Sequence, residues 1–427
     1  MRASQREIGP LQSAGRPPNA WIITFNAASD EPRVTRQART LTEAGWRVIV
    51  CGHEGNAPRP AAWTFFPLGA WAPPQGLDAR RRAWMSRLGN RLARKDPADP
   101  LMTEISAKFC FHCLPNWDAH YKAILTAAAA HPELRPDLVI AHDNHTCPPA
   151  DALARRYGAR IIVDSHEYML DALPEAPHWL EHQRPFIKVM QDHYFPRVDQ
   201  IITVSKGIAD QLNIDYRLKR PVRVVRSLPP YQEQPFRPVG GQVTVLYHGI
   251  VQKVRDLDVA VEAAALWRNN IRLVIRGPGD PDYASHLRQL AAERGVSHRV
   301  AVEPPAPFPK LVARANEADI GYFVYGDGSP QRRYVLPNKF FEYTMAGLAL
   351  CVSDLPEMSV LLKRYGLGVI APNLNPKDIA AMIDSLAPAQ IEQYKRASLL
   401  AAKTLCWENE QAAFLDAVHE LHRPAEQ

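Results

Sequence analysis

PNKFFEYTMAGLALCVSD, residues 337–354, carries the reading of the fold in one stretch. Pro337 and Asn338 predict a helix start, with Asn338 as the N-cap. Phe340, Phe341, Thr344 and Met345 then recur at helical spacing, and Gly347 is the expected stop. The apolar run 348–352, bounded by polar residues, predicts a buried strand. A helix handed to a buried strand through one glycine is half of an α/β repeat. Lys339 and Glu342 lie three apart, on one side of the first turns. They are either an ion pair on a solvated face or two groups presented to a ligand.

Outward from this stretch the same alternation continues. VTVLYHG, IRLVIRGPG, VAVEPP, IGYFVY and GLGVIAP predict strands, separated by helices such as DLDVAVEAAALWR and YASHLRQLAAERG. The first half repeats the pattern, with strands at 19–25, 137–143, 159–167, 198–205 and 222–227, and another in WRVIVCG after a helix at 33–45. Each βαβ unit implies parallel pairing through a right-handed crossover. PPYQEQPFRPVGGQ, 229–242, interrupts the alternation and predicts a linker. The expected organisation is a disordered tail over 1–18, a Rossmann-like domain over 19–228, the linker, a second Rossmann-like domain over 243–390, and a helical segment over 391–427 that packs back on the first domain. The fold class is α/β, with two tandem doubly wound domains facing a cleft.

At 427 residues the chain exceeds one ordinary core. Its net charge of +6 is uneven: residues 1–228 carry 30 Lys and Arg against 23 Asp and Glu, and the remainder carries 21 against 22. The excess concentrates in 80–95, RRRAWMSRLGNRLARK, where Trp84, Leu88 and Leu92 make an apolar stripe between arginines. That pattern suits either a solvated helix or contact with an anionic membrane surface. Nucleic acid is disfavoured as the partner, since no stacking-aromatic module accompanies the charge. No apolar run reaches about 18 residues, and the N-terminal stretch lacks a secretory apolar segment. Six cysteines without a regular framework fit a reduced cytoplasmic compartment, with the inner face of the membrane as a second location.

Two stretches imitate metal sites. One is Cys110-x-x-Cys113 with His112 and His120, and the other is HDNHTC with His142, Asp143, His145 and Cys147. No second ligand pair at defined spacing follows the first, and these groups read as packed thiols and loop histidines, so no metal is expected.

G-x-G-x-x-G and Walker A loops are lacking, which disfavours an ordinary NAD enzyme or P-loop NTPase. Phosphate can instead be held by a strand end, a helix start and cations. YHGIVQKVRDLD offers Gly249, Lys253 and Arg255, and PNKFFE offers a helix start bearing Lys339. Glu342, one turn in, can accept hydrogen bonds from vicinal hydroxyls. Together these suit a nucleoside diphosphate. Gly277 and Gly279 predict a tight turn.

In this order, YHGIVQKVRD, the GPG after a strand, and PNKFFEYTMAGLALCVSDLPE resemble the nucleotide domain of GT-B glycosyltransferases, nearest the retaining family 4 type. PRVTRQARTLTEAGWRVIVCG, VDSHE and VDQIITVSKGIADQL are similar to that family's phrases in the first domain, and the likeness spans about residues 20–385. The resemblance implies that Glu342 binds the donor ribose, Arg255 and Lys339 face the pyrophosphate, and Gly249 lets phosphate approach backbone. It places the backbone near Val302 beside the base and His166 toward the donor sugar across the cleft. Asn26 and Asp30, in the first loop, are acceptor-side candidates. It further implies metal-independent, retaining transfer from a nucleotide sugar, with UDP- or GDP-sugars as donors, to a hydroxyl of a glycan or lipid-linked glycan; no separate cofactor is expected. Eight positions before Glu342, where many members carry an acid that touches the sugar, stands Tyr334. Two other readings share the architecture: a nucleotide-sugar 2-epimerase-like isomerase, and a non-catalytic binding subunit.

Overall fold

A computed structural model describes residues 16–69, 104–108 and 115–421, with Leu88 and Phe111. The chain before residue 16, the basic segment 80–95 apart from Leu88, and Cys110, His112 and Cys113 lie outside the described residues. Two compact units emerge: the described residues up to Val225 together with those from Gln411, and Arg226–Glu410.

The first unit holds a seven-stranded sheet. Its strands are β1 (Asn19–Ala27), β2 (Arg47–His53), β3 (Trp63–Pro67), β4 (Leu138–His142), β5 (Arg160–Ser165), β6 (Gln200–Thr203) and β7 (Arg223–Val224). The order is β3-β2-β1-β4-β5-β6-β7, and every pairing is parallel. Helices cover both faces of such a sheet, so β1, β4 and β5 read as nearly unbroken apolar runs and are buried along most of their length. Trp21 is fully buried, and its indole N–H donates to Leu134 O at 2.7 Å.

The second unit repeats the plan with six parallel strands in the order β10-β9-β8-β11-β12-β13. They are β8 (Val243–His248), β9 (Ile271–Arg276), β10 (Val300–Glu303), β11 (Ile320–Phe323), β12 (Ala349–Ser353) and β13 (Gly368–Ala371). The opening stretch is the helix Asn338–Met345 followed by β12. Phe340, Phe341, Tyr343 and Met345 are wholly buried in the core. The helix lies so close to β11 that a Cβ on Gly321 would sit 2.4 Å from the Tyr343 ring. Gly347 ends it with φ 70°, while Leu348 N donates back to Tyr343 O at 3.1 Å. The N-cap is Pro337 and not Asn338: Pro337 has extended dihedrals and its carbonyl accepts from Phe340 N at 3.1 Å. Because Pro337 already leaves the helical region, Asn338 falls one place inside, and no side chain caps this end.

Residues 226–240 carry no helix or strand, yet they are tied to the second unit. Arg237 donates to Asn316 at 2.7 Å, Tyr231 N to Glu408 at 2.9 Å, and Trp407 N to Pro229 O at 2.9 Å. The helix Pro388–Ala402 also packs in this unit, through Lys395 to Asp319 at 2.7 Å and Ser398 to Leu348 O at 2.6 Å. From Gln411 the described residues count with the first unit. No helix of the described residues is long and apolar enough to cross a membrane.

Candidate functional site

In a doubly wound sheet the strand order reverses at one place, and loops there diverge to leave a crevice at the C-terminal strand ends. The reversal falls between β8 and β11 in the second unit and between β1 and β4 in the first. Both candidate sites lie there.

In the second unit, β8 ends in Tyr247 and His248, and Gly249 follows with φ 132°. A Cβ at Gly249 would meet Lys339 Nζ at 2.9 Å, so this position is kept bare beside the lysine. Lys339, second in its helix, is half-buried, with its ammonium 4.6 Å from the Tyr247 ring centre and 4.4 Å from that of Phe323. It donates to Tyr247 Oη at 3.3 Å, and that hydroxyl donates in turn to Ile250 O at 2.8 Å. Burial and then the neighbouring Arg255 pull the ammonium down to about 7, against the opposing pull of Glu342. Arg255 closes the short 3₁₀ turn Lys253–Arg255 after β8, and its Nε is buried without a hydrogen-bond partner among the described residues. Neither cation has an ion-pair partner among the described residues. Lys253, on the same turn, is exposed.

Glu342 does not pair with Lys339. Its Oε2 lies 2.8 Å from His248 Nε2, and His248 is itself held by Tyr343 Oη, which accepts from His248 N at 2.9 Å. Val302 stands in β10 beside Ile275, and its carbonyl accepts from Arg288 at 3.2 Å. Gly277 and Gly279 are spacers: a Cβ on them would come within 1.8 Å of Gly249 O and 2.1 Å of Val251 O. The structure therefore gathers Gly249, Arg255, Lys339 and Glu342 at one switch point. It adds Tyr247, His248 and Phe323, which sequence reasoning missed although YHG ends a predicted strand.

In the first unit, β5 delivers Asp164 and then His166. Asp164 is fully buried, accepting from Arg33 Nε at 2.6 Å, from another guanidinium nitrogen of Arg33 at 2.8 Å, and from Gln37 at 2.5 Å. Burial opposes its ionisation, but Arg33 and His166 hold the carboxyl well below the usual carboxylate range. His166 Nε2 lies 3.0 Å from His142 Nδ1 and 3.6 Å from Asp164 Oδ2, and its Nδ1 lies 4.0 Å from Asp143 Oδ2. Asp143 takes φ 63° and accepts from His166 N at 3.3 Å. Burial works against charge on His166, but Asp143 and Asp164 outweigh it and lift the imidazole to about 9. Burial pulls His142 the other way, to about 3.

The remaining HDNHTC groups do not converge on one centre. His145 stacks on Trp117, with ring centres 5.6 Å apart, and Cys147 is buried with its thiol toward Asp143 O. His120 is buried too, its ring 4.9 Å from that of His53 and its pKa brought down to about 4 by burial and then His53. Among the described residues, one group offers three ligand atoms within 4.8 Å: His142, Asp164 and His166. Arg33 and Gln37 already occupy both Asp164 oxygens. Asp30 is likewise engaged, accepting from Asn56 N at 2.9 Å and Ala57 N at 2.7 Å, and these backbone donors hold its carboxyl down. Asn26 is exposed at the end of β1.

Residues 31–229 match the family model of the glycosyl transferase 4-like domain. Among solved structures, a sucrose-phosphate synthase from Thermosynechococcus elongatus superposes with a TM-score of 0.70 at 14% identity, over 95% of this chain and 99% of that one. Anabaena HepE, solved with UDP and glucose, gives 0.65 at 10% identity over 94% and 100%. WaaG, a glycosyltransferase involved in lipopolysaccharide biosynthesis, gives 0.63 at 13% over 93% and 99%. No curated protein sequence matches the chain. These superpositions show the fold: two parallel α/β domains in the GT-B arrangement. The N-terminal half of the chain carries the glycosyl transferase 4-like domain.

Proposed function

We propose that the chain transfers a sugar from a nucleotide donor, a UDP- or GDP-sugar, to a hydroxyl of a glycan or lipid-linked glycan, with retention and without a metal. The observation that carries this is the pair of cations at the second switch point. Arg255 and Lys339 stand beside a bare glycine and an uncapped helix start with no ion-pair partner among the described residues, a polarity that asks for a dianionic ligand. Departure of the nucleoside diphosphate builds charge on its phosphates, and fixed cations lower that barrier electrostatically. The leaving phosphate oxygen accepts the proton of the acceptor hydroxyl. Glu342, whose Oε2 lies 2.8 Å from His248 Nε2, accepts from the ribose hydroxyls. His166 acts at the transferred sugar, as the family resemblance implies. UDP and glucose bound to HepE favour UDP among the bases to be tried first.

Calorimetry with UDP and GDP tests the assignment. Lys339→Ala and Glu342→Ala should each weaken nucleotide binding about tenfold or more. Unchanged affinity in both overturns it. The basic segment 80–95 supports peripheral contact with an anionic membrane, on the cytoplasmic side.

A further inference from the structure

We infer that His166 works as a fixed imidazolium rather than as a base, and that His142 is the positioning residue that keeps it so. This rests on the reading of His166 as the group that meets the transferred sugar. The argument is one of charge balance in a closed space. Asp164 is wholly buried, and Arg33, 2% exposed, neutralises it. Asp143 adds a second carboxylate; the groups that face His166 are Asp143, Asp164, Arg33, His142 and His145, and burial disfavours a proton on either of the other two imidazoles, so one negative charge is left without a counterpart. His166 stands 3.6 Å from one carboxylate and 4.0 Å from the other, so a proton on its ring balances the set.

The contact between the two rings fixes where that proton sits. Of His142 Nδ1 and His166 Nε2, 3.0 Å apart, one must donate. His142 is 1% exposed and its Nε2 is buried without a partner, so His142 is the poor place for a second proton. It therefore accepts, and His166 Nε2–H donates. The His166 side chain keeps 18% exposure, and its Nδ1–H stands too far from Asp143 for a hydrogen bond. That N–H is available to an oxygen of the sugar. With no lone pair left, the ring cannot take the acceptor's proton, which agrees with its transfer to the leaving phosphate.

Full-length protein labelled with ¹⁵N-histidine tests this without donor, acceptor or turnover, so its outcome is separate from that of the glycosyl-transfer reading. The resonances of His166 are those lost in His166→Gln. At about pH 7.5 both ring nitrogens should carry protons, with titration well above the usual histidine range. Asp143→Asn, which tolerates φ 63°, should lower the midpoint by about one unit or more. His142→Leu should lower it too, whereas His142→Asn, whose Oδ1 can replace Nδ1 as acceptor, should restore it. A neutral His166 at that pH, or a midpoint indifferent to both His142→Leu and Asp143→Asn, overturns the proposal. Zinc binding to the wild-type chain that is lost in His142→Asn also overturns it, by making the same three groups a metal site.

Discussion

The two sheets place charge at the same topological point and resolve it in opposite ways. In the first unit, Arg33, Asp164, Asp143 and His166 cancel one another inside the protein. In the second, Lys339 and Arg255 have no ion-pair partner among the described residues, and Glu342 lies 2.8 Å from His248 instead. A closed set of charges orients a side chain, whereas an open one waits for a ligand. The difference shows in the lysine, whose ammonium is held down to about 7 by burial and Arg255, while the first unit's histidine rises to about 9.

The sharpest break in this contrast is Arg33→Met. It strands Asp164 as a buried charge and should cost about 3–5 kcal/mol in urea unfolding at neutral pH. The cost should shrink in acid, where the stranded carboxyl protonates; a pH-independent loss would mean that packing, not charge, is the main term. Next in size is Gly249→Ala. Its φ of 132° and the 2.9 Å approach to Lys339 Nζ predict about 1–2 kcal/mol of lost stability, with weaker UDP binding. The smallest effect is the most specific. Since free Lys339 is largely neutral above pH 7, UDP binding near pH 8 should draw in up to about one proton, read from calorimetry in buffers of different ionisation enthalpy. Uptake should vanish near pH 6, where the ammonium is already charged, and at all pH values in Lys339→Met. Equal uptake in that variant would locate the titrating group elsewhere.

Most of the architecture was legible because parallel strands buried on both faces write themselves as apolar runs. VTVLYHG and IRLVIRGPG correspond to β8 and β9 almost residue for residue. The edge strand Trp63–Pro67 was not legible, since it is short, half-exposed and follows a proline-rich loop. Gly249, Arg255 and Lys339 could be grouped from sequence because each follows a strand end or opens a helix. Arg33 and Asp164, 131 residues apart, could not: nothing local in RVTRQ or VDSHE announces that one will neutralise the other. Tyr247 and Phe323 were hidden for a related reason, as aromatic residues inside strands read as core until the lysine between them is seen.

The backbone of 277–279 runs so near that of 249–251 that carbonyl oxygens fill the volume a methyl group would need. A saturation screen scored on growth or activity should therefore show two empty columns, at Gly277 and Gly279, as severe as those of any ligand-touching position. Such intolerance would measure clearance between neighbouring loops, and reading it as chemistry would misplace the donor's phosphates by one strand.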